Sequence, residues 1–133
     1  WIGQYHLAQA LVQAERNDAA LDVLAAIPSN GVNSKVLGLR GYALARAGRP
    51  DAAREVVDAL QGLARERYVP PYATALVALG LGDEDRCLRA LEAAFEARDV
   101  HLIFLPCDPK WAPLRGNAAF ESIVRRCGFE RER

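Results

Sequence analysis

A cysteine and a histidine near the carboxyl end of the chain have the clearest potential for chemistry. Cys107 precedes Asp108 and follows His101 by six residues, so the three could supply a nucleophile with a base, or part of a metal site. Cys107 also follows Phe104 and Leu105, and a cysteine in an apolar stretch usually packs as a small hydrophobic residue. We therefore predict a buried, unreactive Cys107 and keep a small cysteine-dependent hydrolase as a remote alternative.

The other residue types that carry chemistry do not have the spacing of a site. Cys87, Cys107 and Cys127 are odd in number, lie 20 residues apart and form no CxxC pair, which disfavours a disulfide framework and a zinc site. The glycines form neither a GxGxxG nor a GxxxxGK phosphate loop. The sequence therefore predicts that the protein is not an enzyme and uses no metal and no cofactor.

The composition disfavours several classes of partner. Lys plus Arg and Asp plus Glu number 17 each, so there is no net field to attract nucleic acid or an anionic membrane. The apolar stretches are shorter than the roughly 20 residues that cross a bilayer, and unpaired cysteines fit a reducing cytoplasm. The chain starts at Trp1, directly in a helical pattern. We expect a cytoplasmic fragment of a longer protein that contacts neither nucleic acid nor membrane directly.

Small residues recur with the period of a helical repeat. Ala20, Ala53 and Cys87 lie 33 and then 34 residues apart, and apolar side chains follow each of them after four and seven residues, as on one stripe of a helix. Another small residue lies twelve residues before each of these: Ala8, Gly41 and Ala75. Small side chains at both places let two helix backbones approach closely. Each unit is therefore predicted to be a pair of packed helices.

Glycines and prolines set the boundaries of these pairs. Gly48 and Gly82 suit the turn within a pair, and Pro28 and Pro70 separate one pair from the next. The predicted helices are 2–14, 18–27, 34–47, 51–67, 71–80 and 84–97. They form units 1–28, 34–67 and 69–97, followed by a cap, 98–133, with a helix near 117–127. The apolar segment 101–105 has no partner strand, so we expect a short buried helical or irregular segment there.

The cap is predicted to close the exposed end of the repeats. End repeats need a closing element with an apolar inner side and a polar outer face. The residues expected on the inner side are Trp111, Leu114, Phe120 and Ile123. The polar outer face is assigned to Arg125, Arg126 and residues 130–133.

The repeat pattern resembles that of the tetratricopeptide (TPR) family, which places small and large apolar residues at fixed positions on both helices of a unit. The residues that match best are Gly41, Leu44, Gly48, Ala53 and Val57, although the tryptophan of the family is missing from all three units. The resemblance covers 1–97. It implies an all-α fold, with one domain over 1–133 built as an α-solenoid: a right-handed stack of three helix pairs with a carboxyl-terminal capping helix.

The second half of the chain carries a further resemblance. The runs that carry it are Tyr68-Val69-Pro70-Pro71-Tyr72, Gly80-Leu81-Gly82-Asp83, Leu91-Glu92-Ala93-Ala94-Phe95 and Asp108-Pro109-Lys110-Trp111-Ala112-Pro113-Leu114-Arg115. They are similar to the repeat tails of bacterial signalling proteins, behind winged-helix regulators, nucleotide cyclases or Ser/Thr kinases. The resemblance implies a regulatory or sensory module that binds a protein or peptide.

The expected binding surface is the inward-curving face of the first helix of each unit. At 100° per residue, the face opposite the packed one receives eight residues. They are Tyr5, Gln9, Gln13, Lys35, Tyr42, Arg46, Tyr72 and Leu76. Tyrosine and arginine are enriched at binding hot spots, whereas the alternative is that the tyrosines pack between units.

The same face indicates the chemistry of the partner. Repeats that clamp a terminal carboxylate use paired Lys and Asn here, and this chain has Tyr5, Gly38 and Tyr72 at the corresponding places. We therefore expect an apolar or aromatic segment as ligand, from another protein or another domain of the parent protein, with one acidic contact to Arg46. A homodimerising scaffold is the alternative function.

Overall fold

The computed structural model describes residues 1–128, and these form seven α-helices and three short 3₁₀-helices. The α-helices are α1 (Ile2–Gln13), α2 (Asn17–Ala25), α3 (Ser34–Arg46), α4 (Pro50–Ala64), α5 (Pro71–Leu81), α6 (Glu84–Glu96) and α7 (Ala118–Arg126). The 3₁₀-helices are Ser29–Gly31, Val100–Phe104 and Pro109–Leu114. The predicted all-α class is confirmed, since residues 1–128 contain no strand. No helix in this range is long and apolar enough to cross a membrane.

Local chemistry explains where the helices begin and end. The side chain of Asn33 accepts a hydrogen bond from the backbone N–H of Val36 at 3.1 Å, which caps the start of α3. Prolines occupy the first turns of α4 and α5, where the missing N–H costs nothing. Gly48 and Gly82 follow α3 and α5 with φ of 81° and 72°, a left-handed conformation that glycine adopts without strain. The turns were thus predictable from the sequence.

The helices pack in chain order, and α3 also contacts α1 and α5. α1 packs on α2, α2 on α3, α3 on α4, α4 on α5, α5 on α6 and α6 on α7, while α3 also packs extensively on α5. The largest fully buried side chains include Leu39, Leu60, Leu91, Trp111 and Phe120. Smaller buried residues of α1 and α2 join them, so the core runs from α1 to α7.

Glycines let α3 and α5 approach almost backbone to backbone. A Cβ added to Gly38 would lie 3.2 Å from the Cα of Ala73, and one added to Gly80 would lie 3.1 Å from the backbone oxygen of Tyr42. A Cβ at Gly41 would lie only 2.5 Å and 2.9 Å from the two methyl groups of Val77. The α3–α5 crossing therefore has no room for side chains at these glycines.

The cap buries the apolar residues that the sequence assigned to it. Trp111, Leu114, Phe120 and Ile123 are all buried, and α7 packs on α6. Arg125 and Arg126 are exposed, as predicted for the outer face. The 130–133 part of that prediction lies outside the described residues.

The prediction of a buried segment at 101–105 was partly wrong. Most of the segment belongs to the 3₁₀-helix Val100–Phe104, which Leu105 follows. Leu102 and Leu105 are buried, whereas Val100, Ile103 and Phe104 are exposed. A 3₁₀-helix has three residues per turn, so only residues three apart share its inner side. Apolar content alone did not reveal this alternation.

The α3–α5 crossing can be tested with two identical substitutions in different surroundings. Gly62 lies in α4, and a Cβ there would meet no heavy atom within 4 Å. Both Gly41→Ala and Gly62→Ala replace a helical glycine by alanine, so the difference between their free energies of unfolding reports mainly the clash of the new methyl group with Val77 and Val56. We expect Gly41→Ala to be less stable than Gly62→Ala by about 1–3 kcal/mol in urea denaturation followed by circular dichroism. Equal stabilities would contradict the described crossing.

Candidate binding cleft

A cleft of about 180 Å³ lies between α1, α3, α5 and the segment 101–110. Five of the eight predicted groove residues line it. They are Tyr5, Gln9, Lys35, Tyr72 and Leu76. The structure therefore brings the predicted residues of α1, α3 and α5 together around one space.

The other three predicted residues do not line the cleft. Gln13 and Arg46 are exposed at the final residues of α1 and α3. Arg46 lies eleven residues from Lys35, about 16 Å along the helix axis, which takes it beyond the end of the cleft. Tyr42 is buried, and the ammonium of Lys110 lies 5.9 Å from the centre of its ring. The prediction was right for only part of the face because α1 and α3 extend beyond the cleft at their carboxyl ends.

Part of the predicted groove is occupied by the protein's own chain. Lys110 donates a hydrogen bond from Nζ to Gln9 Oε1 at 2.8 Å and contacts Asp108 Oδ2 at 3.3 Å, with its side chain only 3% exposed. Asp108 also caps the following 3₁₀-helix by accepting the backbone N–H of Lys110 at 3.0 Å. Sequence analysis missed Lys110, because a lysine between two prolines resembles an exposed linker residue. Asp108-Pro109 predicts a turn, but it does not predict which helices the turn packs against.

Trp111 anchors the same segment to α5. Its Nε1–H donates to the hydroxyl of Tyr72 at 3.0 Å, and its ring stacks on Phe120 with the centroids 6.2 Å apart. Burial raises the pKa of Tyr72 although the bond from Trp111 opposes the shift. Burial, together with the charge of Asp108, raises the pKa of Tyr5 to about 12. Both phenols therefore keep their O–H groups near neutral pH.

A buried carboxylate fixes the opposite wall of the cleft. Asp99 accepts the backbone N–H of Tyr72 at 3.1 Å, the backbone N–H of His101 at 3.0 Å and the His101 Nδ1 at 2.7 Å. Burial alone would raise the pKa of Asp99, but the bonds from His101 and Tyr72 outweigh it and hold the pKa below its usual value. A carboxylate only accepts, so Nδ1 of His101 carries the proton in this bond. The imidazole stacks on Tyr72, with the centroids 5.5 Å apart.

The prediction of a buried Cys107 was wrong. Cys107 is exposed, and its Sγ lies 3.7 Å from the backbone oxygen of Phe104. Leu105 is the residue of this turn that packs inward, and Cys107, two residues later, lies on the outer side. Within residues 1–128 no hydrogen bond joins Cys107 to His101, and no group of three His, Cys, Asp or Glu residues could hold a metal ion. A catalytic role for this pair has no geometric support.

No family model, curated protein or solved structure matches this chain. The resemblance to TPR proteins therefore stays a prediction.

The buried Lys110–Asp108 pair gives a stability test of the docked segment. Lys110→Met keeps the apolar stem but leaves a largely buried carboxylate without its cation, which we expect to cost about 2–3 kcal/mol of unfolding free energy. Adding Asp108→Asn removes the stranded charge and keeps an oxygen for the 3₁₀ cap. Urea denaturation should therefore find the double variant more stable than Lys110→Met alone. A double variant that is no more stable would mean that the pair is not buried as described.

Proposed function

We propose that the chain is a TPR-like repeat domain that binds a peptide segment of a protein partner in the cleft between α1, α3 and α5. The second helices α2, α4 and α6 begin at Asn17, Pro50 and Glu84, which are 33 and 34 residues apart. Each first helix packs on the second helix that follows it, and α3 packs on α5. These contacts support a right-handed stack of three pairs, closed by α7.

The observation that carries this proposal is the segment 108–111, which docks against α1, α3 and α5 beside the cleft. Lys110 bonds to Gln9 on α1 and lies over Tyr42 on α3, and Trp111 bonds to Tyr72 on α5. The first helices of all three pairs thus already accept a short segment, the start of a 3₁₀-helix, through side-chain hydrogen bonds, ring contacts and apolar burial. The open part of the cleft offers the same walls to a second segment.

The proposal includes the context that the sequence suggests. The partner is another protein or another domain of the parent bacterial signalling protein, and the role is regulatory or sensory and non-enzymatic. The module works in the cytoplasm without metal or cofactor and touches neither nucleic acid nor membrane.

A displayed library of random peptides tests the cleft directly. Lys35 and Arg40 are both exposed cations on α3, but only Lys35 lines the cleft. Peptides selected on the unmodified protein are expected to bind Lys35→Ala about three- to tenfold more weakly and Arg40→Ala equally well, as measured by fluorescence polarisation. Selected peptides that bind both variants like the unmodified protein would place the binding surface elsewhere.

Homodimerisation is a second candidate, favoured by an exposed apolar patch. The patch consists of Val100, Ile103 and Phe104 on the 3₁₀-helix Val100–Phe104, with exposed fractions of 74%, 57% and 41%. Exposed apolar side chains that adjoin one another are typical of interaction surfaces. A second copy would cover the patch and would border the cleft, because Phe104 also lines it.

Light scattering decides on this second candidate. If the patch is a dimer contact, the unmodified protein has twice the mass of one chain, and Ile103→Asp is monomeric because a buried carboxylate at the contact is unfavourable. The helical circular dichroism should be unchanged, since Ile103 is exposed. A monomeric unmodified protein would exclude dimerisation through the patch.

A further inference from the structure

The walls of the cleft carry hydrogen-bond donors that no described residue uses. Tyr5 is 6% exposed and lines the cleft, and its hydroxyl has no hydrogen-bond partner within residues 1–128. Every fully buried side-chain nitrogen or oxygen in that range has a partner, so this hydroxyl must be reached by solvent through the cleft. Tyr72 accepts the Trp111 N–H with its oxygen, but no described acceptor takes its own proton.

The orientation of Gln9 adds a third donor. Lys110 is an ammonium, which can only donate, so the atom of Gln9 that faces it must be the carbonyl oxygen. The NH₂ group of Gln9 therefore points the other way, and it has no partner among the described residues. Gln9 lines the cleft beside Tyr5, one helical turn further along α1. These unused donors call for a ligand with acceptor atoms.

The charges of the cleft favour an anionic acceptor. Asp108 and Lys110 lie in contact and offset each other. His6 and His101 also line the cleft, and the carboxylate of Asp99 lies behind His101, 2.7 Å from its Nδ1. Lys35 forms no salt bridge within residues 1–128, and its ammonium lies 5.1 Å from the centre of the Tyr5 ring. Lys35 is thus a cation in the wall that no described carboxylate neutralises, and it lies beside the Tyr5 ring.

The remaining walls set the size and character of the rest of the ligand. Leu76, Ala73, Pro70 and Phe104 contribute apolar surface. The cleft volume of about 180 Å³ exceeds the roughly 150 Å³ that holds a benzene-sized group in a protein cavity. One ring or branched aliphatic group fits, whereas a helix does not.

We propose that this cleft binds a carboxylate attached to one ring-sized apolar group. Lys35 and the Tyr5 hydroxyl take the carboxylate, the Gln9 amide and the Tyr72 hydroxyl donate to its second oxygen, and Leu76 and Phe104 contact the apolar group. The donor set differs from a Lys–Asn clamp, since it combines phenols of α1 and α5 with a wall formed by the chain's own segment 101–110. The inference rests on the proposed function in that both use the same cleft.

The ligand class is tested by calorimetric titration of the full chain with 3-phenylpropionate and with its neutral amide of the same shape. The acid is expected to bind with a Kd of about 1 mM or tighter. It should bind about tenfold more tightly than the amide, because hydrogen bonds to an ionised group are stronger. The peptide acetyl-Gly-Gly-Phe, as free acid and as amide, identifies the source. Tighter binding of the free-acid peptide than of 3-phenylpropionate assigns the carboxylate to a chain terminus, and weaker binding assigns it to a small acid.

Four variants separate the cleft from unspecific binding. Tyr5→Phe and Lys35→Ala are expected to weaken binding of the acid about three- to tenfold with little effect on the amide. Tyr68→Phe and Arg40→Ala, at exposed positions outside the cleft, should leave the acid unaffected. Melting curves verify that each variant is folded.

The outcomes also distinguish the two proposals. No detectable binding of the acid, equal binding of acid and amide, or unchanged binding by both cleft variants would overturn the carboxylate site. If Lys35→Ala still weakened the binding of selected peptides in that case, the proposed peptide binding would hold and only the carboxylate site would be wrong. If the acid bound but no peptide depended on Lys35, the cleft would be a small-molecule site and the peptide-binding function would fail.

Discussion

The close approach of α3 and α5 is the constraint on which the rest of the structure depends. Gly38 and Gly41 of α3 lie against Ala73 and Val77 of α5, and Gly80 lies against the backbone of Tyr42. Without side chains between them, the two backbones bring their remaining side chains to one shared surface. Lys35 of α3 and Tyr72 and Leu76 of α5 line the same cleft for this reason. Glycine costs about 1 kcal/mol in a helix interior relative to alanine, so the packing gained at the crossing has to exceed that loss.

Burial of Trp111, rather than the charge pair beside it, supplies most of the energy that docks the segment 108–111. An aromatic side chain of this size buries about 150–250 Å², which corresponds to about 4–6 kcal/mol at 25 cal/mol per Å². A buried ion pair often contributes little net stability, because desolvation offsets the attraction. The Lys110–Asp108 contact lies within the segment itself, so the placement of the segment on the helices is fixed by the hydrogen bond from the Lys110 ammonium to the Gln9 carbonyl on α1. Hydrophobic burial holds the segment down, and the charged group fixes its register.

The sequence was sufficient to predict the helices but not the position of the tail, the segment 101–111 that docks on them. Local signals such as the glycine turns, the prolines at helix starts and the 33-residue recurrence of Ala20 and Ala53 predicted each α-helix to within three residues at either end. The tail depends on long-range contacts. Lys110 bonds to Gln9 across 101 residues of sequence, and no local pattern encodes that partner. The burial of Cys107 was predicted wrongly for a related reason: its apolar neighbours suggested burial, but it lies in the turn after the 3₁₀-helix Val100–Phe104, where Leu105 is buried and Cys107 is exposed.

The docked segment restricts how a partner can use the cleft. Trp111 and Lys110 are 0% and 5% exposed. A ligand that displaced them would have to offset the roughly 4–6 kcal/mol of tryptophan burial and the cost of a stranded Asp108 before any affinity appeared. A ligand that binds beside the segment leaves Trp111 and the Asp108–Lys110 pair in place, so it has neither cost to overcome. It also contacts His101 and Phe104, which the tail contributes to the walls. The proposed binding surface is therefore a composite of α1, α3, α5 and the tail. The tail contributes His101, Phe104, Asp108 and Lys110 to the walls, and it leaves a cleft of about 180 Å³, which suits a single side chain or a small molecule.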